Sequence, residues 1–263
     1  MQLPLILAII LPFFQRADKL RSIESIAVPS GFVRPVAATG SYSDYLRKLV
    51  LKQNKTVYYY TGLPKPNQQA TYAVLDLPVR NNSLLQCADA VMLIRASWLF
   101  EQQQYEQIHF FATDGTLLNY SDWCKGGRYI LKGNKLLTVR RSAQSVSPGV
   151  RSNLDRFLQQ VFVYCGTASL SRQMRRKSAN SSPEAGDVFL QPGYPGHVMQ
   201  VVDLAKNAKG ETVFILLQGF MPAQDIHLVK SVKTQYPQPW QHFTGGSFQT
   251  PEWNFPAGSL YQW

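Results

Sequence analysis

The chain contains few charged residues, few cysteines and no long apolar run. Charged residues make up only 16% of the 263 residues and hydrophobic residues 45%, which excludes a disordered or fibrous chain and favours one large globular domain. The three cysteines show no CxxC or Cys/His spacing, so we expect no metal site and no cofactor. Their odd number leaves a free thiol even if one disulfide forms.

Positive charge exceeds negative charge. The 27 Lys and Arg against 16 Asp and Glu give a net charge of +11, which favours an anionic partner such as a membrane surface, a cell-wall polymer or nucleic acid. No zinc-finger or helix-turn-helix spacing is present, and we expect no nucleic-acid binding. The basic run Arg172, Arg175, Arg176 and Lys177 is more typical of a solvated helix face than of a binding site.

The segment from Met1 to Phe14 is apolar and too short to span a bilayer. Its length suits a signal peptide, although no basic residue precedes the apolar run; a buried N-terminal segment is the alternative. We interpret 1–17 as a signal segment and 18–263 as a single domain. This interpretation predicts export to the periplasm or cell envelope, with no transmembrane helix in the mature chain.

A β-hairpin is indicated between Gly186 and Asp203. The apolar strand Val188 to Gln191 is followed by the turn cluster 192–196, and a second strand begins at His197. A third apolar run, Thr212 to Gln218, follows a polar loop with turn residues at Asn207 and Gly210. The second and third strands should therefore pair antiparallel.

The strand pairing brings a histidine and an amide together. If Asp203 pairs with Thr212, then His197 lies directly opposite Gln218 and on the same face of the sheet. The amide oxygen could then accept the Nδ1 proton of His197 and leave Nε2 free as a base. A slip of one residue would separate the two side chains.

Two cysteines lie near predicted helix ends. The capping-box pattern Ser83 to Gln86 predicts a helix to about Gln104, with Cys87 facing inward in its first turns. A second helix is predicted from Ser152 to Tyr164, with Cys165 at its end, and Thr167 can cap a third helix through Lys177.

Elimination leaves cysteine and histidine as the chemistry-bearing residues. The sequence has no acidic pair at glycosidase spacing, no G-x-S-x-G elbow and no Gly-rich nucleotide loop. A helical thiol facing a histidine at a strand end is the arrangement of papain-like cysteine enzymes. Cys87 and Cys165 both remain candidates, although a single free cysteine is more often inert packing.

The hairpin segments resemble a known superfamily. Gly186-Asp187-Val-Phe, Gly196-His197-Val and the strand ending in Gln218 resemble the core of the papain-like NlpC/P60 and CHAP groups of bacterial cell-wall amidases and peptidases. The resemblance implies an α+β papain-like antiparallel sheet packed against helices, here with an elaborated N-terminal half. The chain departs from these groups at the nucleophile, because their Asn/Asp-Cys-Ser/Thr-Gly signature is missing.

Nearly the whole chain also resembles an exported bacterial family of unknown function. The segments that carry this resemblance are Gln86-Cys87-Ala-Asp-Ala90, Tyr164-Cys-Gly-Thr-Ala-Ser-Leu170, the hairpin and Met221-Pro-Ala-Gln224. This resemblance associates cysteine more firmly with position 87 than with position 165.

Two functions are consistent with the sequence. The first is an exported cysteine hydrolase or acyltransferase acting on an amide bond of a cell-wall peptide: Cys87 attacks, His197 is the base and Gln218 orients the imidazole, with Cys165 as the competing nucleophile. The second is a catalytically inert envelope-binding module on the same fold. In either case the expected partner is peptidoglycan or another anionic envelope polymer.

Overall fold

The computed structural model describes residues 21–77, 83–179 and 181–263, so the predicted signal segment 1–17 lies outside the described residues. The helices within these ranges are α1 (Tyr42–Arg47), α2 (Cys87–Glu101), α3 (Tyr120–Cys124), α4 (Arg151–Tyr164) and α5 (Thr167–Gln173). The strands are β1 (Phe32–Val33), β2 (Thr71–Val74), β3 (His109–Phe111), β4 (Leu117–Asn119), β5 (Gly127–Lys132), β6 (Lys135–Arg140), β7 (Arg175–Arg176), β8 (Val188–Gln191), β9 (His197–Asn207), β10 (Thr212–Gln218), β11 (His227–Val229), β12 (Gln241–His242), β13 (Phe248–Gln249), β14 (Asn254–Phe255) and β15 (Leu260–Gln262).

A large antiparallel sheet forms the centre of the described fold. Its strand order is β2-β11-β10-β9-β8-β15-β7, with β1 added to β9 and β12 added to β10. Three small hairpins, β3-β4, β5-β6 and β13-β14, lie outside this sheet. The protein is therefore a mixed α/β structure with one large antiparallel sheet and few helices, as the sequence predicts at this level.

The sheet is buried on both faces, which explains why successive side chains of its central strands, polar ones included, are buried instead of alternating with exposed ones. Val198 and Val202 belong to the larger core, which also contains the buried residues of α2. The opposite face is covered by the C-terminal segment, where Phe189 stacks on Phe248 with ring centroids 4.4 Å apart. Consecutive side chains of β9 therefore enter two different cores.

The predicted hairpin is confirmed, but its predicted register is wrong. Asp203 pairs with Ile215 instead of Thr212, because β9 continues to Asn207 and the turn begins three residues later. Asn207 and Gly210 do form that turn: the Asn207 side chain accepts hydrogen bonds from the amides of Lys209 and Glu211. A β-bulge beside Ile215 then shifts the register by one residue, so that Leu216 pairs with Val201.

Two helix boundaries also differ from the prediction. Helix α2 begins at Cys87, because its cap is Gln86, whose amide donates to the Asp89 carboxylate at 2.9 Å; Ser83 lies in a turn before it. Helix α5 ends at Gln173, and the following residues pair with β15 instead of continuing a basic helix face. Lys177 reaches the Asp187 carboxylate at 2.7 Å.

A buried ion pair joins the N-terminal part to the sheet. The Asp203 side chain is fully buried and accepts hydrogen bonds from Arg34 and Arg47, each at 2.7 Å. This contact fixes the segment before α1, and α1 itself, against strand β9. It lies further along that strand from His197.

Candidate functional site

His197 and Gln218 meet as expected, by a different route. Leu217 pairs with Gln200, and continuing that register places Gln218 opposite Met199, on the same face as His197 and two residues further along. The Nε2 atom of His197 lies 3.0 Å from Oε1 of Gln218. The pairing near Thr212 differs from the predicted pairing by three residues, which alone would turn Gln218 to the opposite face of the sheet from His197. The bulge shifts the register by one residue and so returns Gln218 to the face of His197.

The roles of the two imidazole nitrogens are exchanged relative to the expectation. An amide oxygen only accepts hydrogen bonds, so Nε2 of His197 carries the proton. Nδ1 is buried and has no hydrogen-bond partner. Burial lowers the pKa of His197 to about 4 despite its hydrogen bond to Gln218, so the ring is neutral at pH 7. Nδ1, not Nε2, therefore has the free lone pair.

The His197 ring is enclosed by aromatic side chains. Ring centroids of Phe220 and Trp253 lie 4.8 and 5.0 Å from it, and Phe255 lies 6.0 Å away. These residues come from the segments after β10 and β13, on the sheet face opposite the α2 core. The enclosure explains why burial dominates the pKa of the imidazole.

Cys87 is the first residue of α2 and lines an open cleft of about 340 Å³. Its sulfur lies against the backbone amide of Val198, the residue directly after His197. Burial and, to a lesser extent, Asp89 raise the pKa of the thiol to about 11, although the amides of Ala88 and Val198 favour the thiolate. At pH 7 the resting thiol is therefore protonated.

Cys165 lines the same cleft. It caps the C-terminus of α4 and is half-buried, and burial raises its pKa, with Asp89 and Asp114 acting in the same direction. The structure thus brings both candidate nucleophiles to one cavity. Gly166, Thr167 and the turn 193–196 complete its wall.

The structure places the predicted catalytic residues in two adjacent groups. Cys87 and Cys165 share the cleft, and His197 and Gln218 share the hydrogen bond on the other face of β9. No hydrogen bond joins Cys87 to His197 in this state, because Nδ1 has no partner. What connects the groups is the peptide between His197 and Val198, whose amide faces the Cys87 sulfur.

An acid in the cleft was not predicted from the sequence. Asp89 is buried, its Oδ2 accepts from the Gln86 amide and its Oδ1 has no partner. Burial raises its pKa to about 8, although the amide hydrogen bonds oppose the shift. Asp89 lies three residues after the cap Gln86, which is the spacing of a capping box. The sequence pattern from Ser83 to Gln86 also has this spacing, so the sequence predicts Ser83 as the cap and gives Asp89 no role.

Three residues beside Gln218 were also not predicted. His227 is fully buried and lies opposite Gln218 in the pairing of β10 with β11. Its Nε2 atom is 3.1 Å from Nε2 of Gln218. Glu252 accepts from the same Nε2 at 2.7 Å and from Lys65 at 2.5 Å. The run from Ile226 to Val229 indicates a strand after Gln218, so the position of His227 has a signal in the sequence. Nothing in the sequence connects Lys65 or Glu252 to the site.

Metal and membrane signatures are missing from the described ranges. The described residues contain no group of three or more His, Cys, Asp or Glu side chains that could hold a metal ion. Among the described helices, none has the length and apolar character needed to cross a membrane.

Comparison with known proteins identifies the family. Residues 23–262 match the family described as Domain of unknown function (4846), DUF4846. No curated protein and no solved structure matches the chain. The match covers nearly the whole length and agrees with the resemblance to a family of unknown function. The chain therefore belongs to the DUF4846 family.

Proposed function

We propose that the protein is an exported cysteine hydrolase or acyltransferase with a papain-like core, acting on an amide bond of a cell-wall peptide. The observation that supports this proposal most directly is the position of Cys87. It is the first residue of the 15-residue helix α2, it opens into the cleft, and it touches the peptide that follows His197. A helix N-terminus stabilises negative charge, as thiolate formation requires.

The proposed reaction requires substrate binding to bring the two groups into contact, because in the resting structure the His197 ring lies on the other face of β9 from the cleft. Nδ1 of His197 takes the Cys87 proton as the sulfur attacks the substrate carbonyl carbon, and the carbonyl π electrons move to the oxygen. When the tetrahedral intermediate collapses, the C–N bond breaks and the leaving amine takes the proton from Nδ1. Water, or an acceptor amine, then releases the acyl group from the sulfur. Gln218 holds the ring through Nε2 at each step.

The charge of the chain supports the choice of substrate class. The net charge of +11 favours an anionic polymer, and peptidoglycan contains both anionic groups and peptide amides. Export to the periplasm or cell envelope would place the protein where this polymer is found.

A second candidate, an inert envelope-binding module, is favoured by the electrostatics of the resting state. The thiol pKa is raised to about 11 and the imidazole pKa is lowered to about 4, so no thiolate–imidazolium pair forms without a ligand. In this second candidate the same cleft binds a cell-wall peptide but does not cleave it.

Site-resolved alkylation separates the two candidates. Wild type, Cys87→Ala, Cys165→Ala, His197→Ala and the control His242→Ala are treated with iodoacetamide at pH 7 and mapped by peptide mass spectrometry. The alkylation is carried out in the presence of peptidoglycan stem peptide, because the resting protein forms no thiolate–imidazolium pair. Under these conditions the enzyme predicts that alkylation of Cys87 slows about tenfold or more in His197→Ala, because the base is lost, and is unchanged in His242→Ala and Cys165→Ala.

Incubation of the same proteins with peptidoglycan stem peptides tests the reaction itself. Mass spectrometry should show a new amine with wild type and none with Cys87→Ala. Equal Cys87 alkylation in wild type and His197→Ala, together with bound but uncleaved peptide, would exclude the enzyme and leave the binding module.

A further inference from the structure

A buried polar network continues from the His197–Gln218 pair along the same face of the sheet. Nε2 of Gln218 contacts both Nε2 of His227, at 3.1 Å, and Oε2 of Glu252, at 2.7 Å. Oε2 of Glu252 also accepts from Nζ of Lys65 at 2.5 Å. All of these side chains are nine-tenths or more buried, so water does not compete for their hydrogen bonds.

The ionised carboxylate sets the orientation of the amide. Burial raises the pKa of Glu252, but the ion pair with Lys65 at 2.5 Å opposes burial and holds the pKa of this carboxyl below its usual range. A carboxylate can only accept, so the amide group facing it must be the nitrogen of Gln218. The oxygen of Gln218 then faces His197.

His227 imposes the same orientation independently. Burial lowers the pKa of His227, so the ring is neutral at pH 7, and its Nδ1 donates to the Asp225 carbonyl at 2.9 Å. Nε2 of His227 is therefore an acceptor, which again requires the nitrogen of Gln218 beside it. His227 and Glu252 both accept on the same side of the Gln218 amide. The nitrogen of Gln218 must therefore face them, and its oxygen must face Nε2–H of His197.

We infer that His227, Glu252 and Lys65 are positioning residues: they fix the amide of Gln218 and thereby hold His197 in the tautomer with its proton on Nε2 and a free lone pair on Nδ1. The inference deepens the proposed function, because it specifies how the base is prepared. Without Glu252 the Gln218 amide could turn over, and His197 would then accept at Nε2 and carry its proton on Nδ1.

The energetics of the network are consistent with such a role. A buried ion pair contributes little net stability, because removing both charges from water costs about as much as their attraction returns. The Lys65–Glu252 pair is almost fully buried, and its partners come from a loop before β2 and from the segment after β13. Apolar side chains would fill this space without ordering the amide.

The tautomer of His197 can be read without any activity assay. In protein labelled with ¹⁵N histidine, a long-range ¹H–¹⁵N spectrum distinguishes the protonated from the bare ring nitrogen, and the chain has only four histidines. Comparison with His197→Gln assigns the signals. Wild type at pH 7 should show a single neutral tautomer, protonated at Nε2.

The test variant is Glu252→Gln. Its amide can present oxygen or nitrogen to Gln218, which leaves His227 to orient the Gln218 amide without the carboxylate. The fraction of His197 protonated at Nδ1 should therefore rise measurably above its near-zero value in wild type. Because Lys65 would remain as an uncompensated buried charge, the double variant Lys65→Met/Glu252→Gln is measured in parallel. It removes both charges and should show the same mixture of tautomers in a folded protein.

Asp203→Asn is the matched control. It also breaks an ion pair of a fully buried carboxylate, but further along β9 from His197, and should leave the His197 tautomer unchanged while lowering stability. A single Nε2-protonated tautomer in both Glu252 variants would overturn the inference. A mixture of tautomers in Asp203→Asn as well would show a general loosening of the fold and would also overturn it.

The outcome is independent of the proposed function. If the tautomer changes but alkylation of Cys87 is insensitive to His197, the network positions the imidazole and the hydrolase proposal fails. If alkylation depends on His197 but the tautomer does not depend on Glu252, the hydrolase proposal stands and the positioning role fails. Where both hold, alkylation of Cys87 in Glu252→Gln should fall in proportion to the fraction of His197 that retains a free Nδ1, as measured in the same sample.

Discussion

Replacing Asp89 by asparagine should make the protein more stable at neutral pH. Burial raises the pKa of this carboxyl from 3.8 to about 8, so between these values the folded protein keeps a proton that the unfolded chain releases. The free energy of unfolding therefore falls as pH rises through this window. At pH 7 the difference spans about three pH units, or up to about 4 kcal/mol. Asparagine does not ionise and lacks this loss.

The expected gain in the free energy of unfolding of Asp89→Asn depends on pH, which a change in packing alone would not produce. In Asp89→Asn the side-chain amide oxygen can still accept from the Gln86 backbone amide, so the cap of α2 is retained. At pH 4.5 wild type and Asp89→Asn should unfold at similar urea concentrations, and at pH 7.5 the variant should unfold at a higher one. Asp89→Ala should show the same pH dependence but lose about 1 kcal/mol at each pH, because its cap is missing.

A partly buried acid in the first turn of α1, Asp44, provides a control of opposite sign. Lys48 and the Gly40 amide lower the pKa of Asp44, so its contribution to stability is present at neutral pH and is lost on acidification. Asp44→Asn should thus be less stable than wild type at pH 7.5 and equal to it in acid. If the stability difference between Asp89→Asn and wild type does not change from pH 4.5 to 7.5, the assignment of a protonated Asp89 is refuted.

Three further changes probe the packing around the site, each measured by urea denaturation. Gly219→Ala places its new Cβ 2.7 Å from the Gln86 carbonyl and should cost about 1–3 kcal/mol and alter Cys87 alkylation, whereas Gly149→Ala, with its nearest contact at 3.4 Å, should do neither. Asp203→Asn leaves the buried Arg47 and the partly buried Arg34 without their carboxylate and should cost about 3–5 kcal/mol; a loss below about 1 kcal/mol would contradict the contact. Phe189→Ala removes a fully buried ring that touches four others and should also cost about 3–5 kcal/mol; a smaller loss would mean that the second core collapses around the gap.

The hairpin and its histidine were predictable because local signals agree. Turn residues at 192–196 and at Asn207 and Gly210 bound the apolar runs, and the strands form where the sequence indicates. The exact pairing was not predictable. The charge of Asp203 predicts that the strand ends there. In the structure Arg34 and Arg47, which are distant in sequence, bind this buried carboxylate, and β9 continues to Asn207.

The residues that surround Gln218 on the face of the sheet opposite α2 could not be predicted from the sequence, for a different reason. Lys65 and Glu252 belong to irregular segments without periodicity, and only the assembled sheet brings them to Gln218. The nitrogen of His197 that faces Gln218, Nε2 instead of the expected Nδ1, could not be predicted either, because it also depends on the assembled sheet. Strand arithmetic places His197 and Gln218 on one face but does not determine from which side the amide approaches the ring.

The position of β15 has a consequence for the timing of folding. Residues 260–262 lie between β8 and β7 in the sheet, so both neighbours must wait for a segment that the ribosome makes after them. Translation at about 5–20 residues per second gives that wait a length of several seconds for β7 and β8. During that time β8 has β9 as its neighbour and β7 has none among the described strands, so this edge of the sheet stays incomplete until residues 260–262 are made.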